Sequence, residues 1–257
     1  MKWLRFAHQG RVGFGVLDQD RIAVHQGDMF GSFQATGEVM PLADVQLLSP
    51  CEPRQFFALW NNFKAAAAKN NWTEPAEPLY FLKGANSFSH HLAPVPKPRH
   101  YDGRIIYEAE LAVVIGKAGR DIPHEDAASH VFGYTCVNDV TALEMLHADA
   151  TFAQWTRCKS MDGFTPFGPW IETDLDLSNC QVVARVNGRE RQNYPVSDMF
   201  FSPLELVSRL SRDVTLQPGD IISCGTSLGA MPWSVGATVE VEVSGIGVLS
   251  NALQAQG

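Results

Sequence analysis

The 257-residue chain has no Cys-x-x-Cys pair, no long apolar run and a shortfall of positive charge. Its five cysteines, Cys51, Cys136, Cys158, Cys180 and Cys224, are odd in number and widely spaced. That argues against a disulfide frame or a thiolate zinc site and fits free thiols in a reducing cytoplasm. Cys158 reads as a packing residue, because no partner base is signalled beside it. The apolar stretches are strand-sized, too short to span a bilayer as helices. Lysine and arginine number 20 against 28 acids, a net charge of −8, so neither nucleic acid nor anionic membrane would be attracted. The opening MKWLRFAHQGRVGFG lacks the apolar core and cleavage site of a secretory leader.

What is present is an ordinary globular composition, 45% hydrophobic and 19% charged, long enough for a large domain plus a small one. Short segments broken by glycine and polar residues run to about Ser49, with strand signals at Phe6–Phe14 and Arg21–His25. They predict a small antiparallel β domain over residues 1–50, bounded by the Pro50 and Pro53 of LLSPCEP. Residues 51–257 carry no composition break and read as one mixed, mostly β domain, so the fold class is α+β with short helices. NNFKAAAAKNN predicts a short helix from its alanines. Asn187-Gly188 is the preferred pair for a type I′ hairpin turn. Ser202-Pro203-Leu204-Glu205 combines a serine cap, proline at the first helical position and glutamate at the third, and starts a helix. The adjacent His90 and His91 point apart on an extended chain, so they predict a solvent-facing loop rather than a metal pair.

The stretch with chemistry in it is Arg104–Lys117, RIIYEAELAVVIGK, read as one long buried strand. Glu108 and Glu110 interrupt its apolar run and project from the same face, roughly 6–7 Å apart. The bland reading is a half-exposed strand with two solvated acids. Against it, that face continues with Ala112 and Val114, where two ionised carboxylates cost several kcal/mol unless something positive answers them. Asp139 closes a second apolar strand, VFGYTCVNDVTA, and Lys159 is a cationic companion. Three carboxylates without a convergent His or Cys set make a hard-oxygen site, suited to Mg²⁺, Mn²⁺ or Ca²⁺. Such a cation keeps coordination positions for a chelating 2-oxo or 2,4-diketo acid and stabilises an enolate as a C–C or C–H bond breaks.

YEAELAVVIGK, VFGYTCVNDVTA, QWTRCKS, FGPWI, VNGRERQ, FSPLELVSRLSRDVTLQPGDIISCGTSLG and VEVEVSGIGVLSNA, in that order and spacing, resemble the fumarylacetoacetate hydrolase family. The resemblance runs from Phe57 to Asn251. It implies a mixed β-sandwich/roll catalytic domain, commonly a homodimer, with Mg²⁺ or Mn²⁺ on Glu108, Glu110 and Asp139. Lys159, in the W-T-x-x-K-S segment, would contact the substrate, and Lys83 and Thr226 would contact its carboxylate. Glu108 and Lys159 are the candidate catalytic residues. The family's hydrolytic and decarboxylating members carry a water-activating His and Glu on the short helix after the G-x-N-Y segment. Here that stretch reads Asn61-Asn62-Phe63-Lys64-Ala65-Ala66-Ala67-Ala68-Lys69, without either. The polar residues after D-x-T-A are replaced by Leu143 and Leu146, and T-G-T-P-x-G becomes Cys224-Gly225-Thr226-Ser227-Leu228-Gly229. The expected activity is hydrolysis of a C–C bond in a small acylpyruvate-type acid. Keto–enol isomerisation or decarboxylation of a 2-oxo acid is the alternative, and a member that only binds metal and keto acid is the rival from another class.

Overall fold

A computed structural model describes residues 1–255 of the chain. Its largest element is a twelve-stranded sheet. The path through it runs Phe33–Pro41, Arg21–Gly27, Arg11–Asp18, Lys2–His8, Thr165–Glu172, Val131–Asn138, Ala109–Ile115, Ile221–Ser223, Phe56–Trp60 and Leu79–Leu82. A five-stranded sheet of Arg189–Pro195, Gln181–Val186, Thr238–Val243, Gly247–Ala255 and Val95–Lys97 packs over its middle. The fold is mostly β with short helices, as the sequence leads one to expect.

Ala109–Ile115 is the centre of the sandwich, with all seven residues buried. Its alternation divides two cores. Leu111, Val113 and Ile115 join Val182, Val241 and Leu249 of the covering sheet. Ala112 and Val114 face the other way, onto Trp3, Phe56 and Phe167. Each fully buried Leu or Ile here contributes roughly 1.5–3 kcal/mol, so any charge carried by this strand needs a built-in partner.

The predicted single strand over 104–117 is two pieces. Ile105–Ile106 pairs with Thr141–Ala142, and Ala109–Ile115 pairs with Val131–Asn138. Between them Tyr107 and Glu108 leave the ladder. The cause is a side chain: Glu108 N–H donates to Asn138 Oδ1 at 3.1 Å, while Asp139 N–H donates to the Glu108 carbonyl at 2.9 Å.

The N-terminal strands form an antiparallel meander with its own small core of Leu4, Phe6, Leu17, Ile22 and Met40. Through Lys2↔Glu172 and Trp3↔Ile171 it continues the large sheet. Three short helices follow in the chain: α1 (Lys64–Asn70), α2 (Trp155–Lys159) and α3 (Pro203–Asp213). The Ser202 hydroxyl caps α3 by accepting from Glu205 N at 3.3 Å. Asn187 and Gly188 both have positive φ, as a type I′ turn requires. His90 and His91 are half-buried rather than in solvent. His91 Nδ1 accepts from Ser250 N and His90 Nδ1 bonds the His91 carbonyl. All five cysteines are free and buried. Among the described residues no helix is long and apolar enough to cross a membrane.

Candidate active site

The register of two neighbouring strands assembles the acids. Ala109 lies opposite Asn138 and Glu110 opposite Val137, so the residues just beyond that ladder, Glu108 and Asp139, converge beside Glu110. One carboxylate oxygen from each of the three lies within 4.8 Å of the others. Glu110 and Asp139 are buried, while Glu108 is the partly exposed member and marks the open side.

Two lysines come in from other elements. Lys83 follows the Leu79–Leu82 strand; its Nζ donates to Asp139 Oδ1 at 2.5 Å and to the Phe164 carbonyl at 3.1 Å. Lys159 ends α2 and donates to Glu108 Oε2 at 2.7 Å and Asp139 Oδ2 at 2.6 Å. Thr141 Oγ1 donates to the remaining Glu108 oxygen at 3.2 Å. Glu110 Oε2 receives the Ser223 hydroxyl at 2.5 Å and the Gly225 N–H at 3.0 Å. Gly225 sits at φ +89 with Leu59 O only 3.2 Å from where a Cβ would stand, so this close approach to Glu110 favours glycine. Thr226 borders the same side: its hydroxyl donates to the Ala109 carbonyl at 2.9 Å and accepts from Gln192 Nε2 at 2.9 Å.

The electrostatics follow from burial. Burial pushes Glu110 well above the usual carboxylate range, and Asp139 and Glu108 push the same way. Burial also raises Glu108, against the pull of Lys159. Burial would raise Asp139 too, but Lys159 and Lys83 together hold it below its ordinary value. Lys83 is lowered, because burial outweighs the attraction of Asp139. For Lys159 burial works downward, yet Asp139, Glu108 and Glu110 outweigh it and hold the ammonium firmly protonated.

Whether a divalent cation fits can be judged from Glu110. Its Oε1 is buried and has no hydrogen-bond partner, although its other oxygen takes two donors. An orphaned buried carboxylate oxygen is costly, and it stands within reach of two further carboxylates. Three carboxylates against two ammonium groups leave one negative charge, which a divalent cation would turn into one positive charge. The donor set is all oxygen, suited to Mg²⁺ or Mn²⁺ rather than zinc. The residues fit.

A family model described as fumarylacetoacetate (FAA) hydrolase, C-terminal, matches residues 55–254. The chain belongs to the fumarylacetoacetate hydrolase family. A second model, described as Rv2993c-like, N-terminal, matches residues 1–50. Among family relatives, the chain is 33% identical over 240 residues to the oxaloacetate tautomerase YisK of Bacillus subtilis, covering 88% of this chain and 77% of that one. The crystal structure of 5-carboxymethyl-2-hydroxymuconate delta-isomerase from Mycobacterium smegmatis superposes with a TM-score of 0.92 at 35% identity, over 100% of both chains. Maleylpyruvate hydrolase from a Sphingobium species, solved with manganese(II) and pyruvate, gives 0.82 at 25% identity, again over 100% of both. The family therefore spans isomerases and hydrolases, and this fumarylacetoacetate hydrolase family member carries an acidic cluster able to hold a divalent metal.

The structure thus brings Glu108, Glu110, Asp139, Lys83 and Lys159 into one cluster, with Thr226 at its border. Lys83 is deeper than the sequence suggests, its side chain fully buried on Asp139. The α1 helix presents only Ala66 and Ala67 to the interior, with Lys64 and Lys69 exposed. Sequence reasoning missed Asn138, Ser223 and Thr141. The last could have been found from parity, since it lies two residues beyond Asp139 on an extended chain.

Proposed function

We propose that the chain is a divalent-metal-dependent enzyme acting on a small 2-oxo or 2,4-diketo carboxylic acid, and that its reaction is keto–enol isomerisation. The observation that carries this reading is a carboxylate triad, two of its members buried, with a partnerless Glu110 oxygen, backed by two lysines, in a chain whose α1 buries only alanine. A Mg²⁺ or Mn²⁺ on Glu108, Glu110 and Asp139 would polarise the 2-oxo group and favour the enolate. Lys159, held protonated on the partly exposed side beside Glu108, would donate a hydrogen bond to the substrate carboxylate or the developing oxyanion. Lys83 keeps Asp139 ionised from behind. Thr226 would orient the carboxylate.

Hydrolytic C–C cleavage, the reaction the sequence favours, is the second reading. Likeness to the Sphingobium hydrolase supports it. It additionally needs a group to deprotonate water within hydrogen-bond reach, and α1 offers none on its buried face. His147 is exposed, and His90 and His91 are engaged with backbone. Isomerisation needs no water nucleophile: one proton leaves the carbon next to the 2-oxo group and one arrives at its oxygen, and solvent at the partly exposed Glu108 side would carry both. Assembly as a homodimer belongs to the proposal and is checked by light scattering.

The deciding experiment follows enol oxaloacetate decay and acetylpyruvate loss in parallel, with Mn²⁺ or with chelator. The expected result is metal-dependent acceleration of the first and near-background rates for the second. Comparable cleavage of acetylpyruvate would replace isomerisation by hydrolysis. Calorimetric binding of oxalate without turnover of either compound would make the protein a binder.

A further inference from the structure

Four aromatic rings stand beside the acid–lysine cluster and belong to none of the three hydrophobic cores. The series begins at the cluster itself, where Lys159 Nζ lies 5.3 Å from the centre of the Phe81 ring. Phe81 stacks on Trp155 with centres 5.0 Å apart and planes at 19°. Trp155 meets Trp60 edge-on at 6.1 Å, and Trp60 meets Trp72 at 4.9 Å. The local sequence explains the arrangement. Phe81 and Lys83 are two residues apart on an extended segment and so share a face, while Trp155 and Lys159 are four apart on α2 and share another. Each element therefore delivers one ring and one ammonium group to the same place. Phe81, Trp155 and Trp60 are half-buried, and Trp72 is 39% exposed.

Half of the chain's six tryptophans are thus spent on a wall that leads from the lysine bridging Glu108 and Asp139 out to the surface. Rings packed on one another but on no core keep apolar surface open to water, which is costly to leave uncovered. Continuity with the charged cluster says what covers it: a molecule anionic at one end and apolar at the other. A second carboxylate would lose hydration against ring faces and gain little in return.

Building on the metal and keto-acid reading above, we propose that Phe81, Trp155, Trp60 and Trp72 bind the distal part of the substrate, and that this part is an aryl or extended apolar group rather than a second carboxylate.

The test compares two unreactive 2-oxo acid analogues that differ by one phenyl ring, oxamate and N-phenyloxamate, by calorimetry at saturating Mg²⁺ and by quenching of tryptophan fluorescence. The expected result is at least tenfold tighter binding of N-phenyloxamate. Trp155→Leu should remove most of that gain while leaving the oxamate affinity within twofold. Trp72→Ala, at an exposed position with little risk to folding, should remove part of it. Equal affinities in the wild type, or a gain that survives both substitutions, would overturn the inference and leave the metal and keto-acid reading standing. Failure of both analogues to bind with Mg²⁺ would remove that reading and this one together. A change of oligomeric state in Trp72→Ala with the tenfold ratio intact would make the wall an interface between copies, and the inference would be wrong.

Discussion

The acid–lysine cluster and helix α1 both reach into buried ground, and they differ in what they carry there. One sets three carboxylates and two ammonium groups among fully buried strands. The other buries two alanines. Charge in an apolar interior costs several kcal/mol unless it is answered, so its presence demands an account, and here two lysines and an acidic triad able to hold a divalent cation give one. Alanine costs nothing and demands none. The same physics makes the first region informative about what the protein can do and the second informative about what it does without.

The contrast can be broken most forcefully at Asp139. Replacing it by alanine leaves Lys83 fully buried without its counter-ion and strips Lys159 of one of two. Loss of one partner of such a buried arrangement is expected to cost about 3–5 kcal/mol, read from the urea midpoint. Ala67→Gly on α1 should cost roughly 0.5–1 kcal/mol by helix propensity alone. Equal losses at the two sites would mean that the cluster is solvated and the comparison empty. Kinetics should divide the same way. Lys159→Met is expected to lower isomerase turnover by about 10²–10³-fold, the usual range for a removed oxyanion donor, whereas Lys69→Ala should leave it within about twofold.

Metal addition sharpens the contrast further. At a free Mn²⁺ concentration of about 100 times Kd, the folded state should gain about 2.7 kcal/mol, and Glu110→Gln should abolish the gain. The pH dependence has a definite sign. Glu110 in the metal-free protein holds its proton to well above the usual carboxylate range, so the folded state binds more protons than the unfolded chain between the ordinary glutamate value and that raised one. Metal-free stability therefore rises as pH falls through the window. Cation binding must displace the proton there, so apparent metal affinity falls as pH falls, measurable by calorimetry across a pH series.

Parity and burial made much of this visible in the sequence. Glu108 and Glu110 stand two apart in an apolar run, Asp139 closes another, and Ser202-Pro203 and Asn187-Gly188 announce a helix and a turn through local chemistry. What stayed hidden depends on partners far along the chain. The break at Tyr107–Glu108 is set by the Asn138 side chain. The antiparallel pairing of Ile221–Ser223 with Ala112–Val114 brings Ser223 to Glu110, and Trp3 stitches the N-terminal meander to Ile171. Nor does any local signal say that Lys83 is fully buried, or that Trp60, Trp72, Phe81 and Trp155, from four separate segments, form one wall.

The smallest expected effect lies at the rim, where Glu144 offers a glutamate of opposite behaviour to Glu110. Its carboxylate accepts from the Tyr101 hydroxyl at 2.6 Å, the Arg104 N–H at 2.8 Å and Arg104 Nε at 2.5 Å. Those bonds, Tyr101 first, lower it to about 2. They tie the turn after Thr141–Ala142 to the chain before Ile105–Ile106, which is the ladder that leads into both Glu108 and Asp139. A depressed value means stability fully present above the ordinary glutamate range and lost as pH falls toward 2, the reverse of the metal-free cluster. Because the group is largely exposed, solvent screening should keep the effect below about 1 kcal/mol and make it salt-sensitive. Glu144→Gln should therefore cost little near neutral pH, progressively less as pH falls below the ordinary glutamate range, and nothing below about pH 2, where the wild-type carboxylate is itself protonated, and should weaken Mn²⁺ binding by no more than a few-fold. A larger loss of metal affinity would mean that the buried acids do not hold their geometry unaided and that the rim is part of the site.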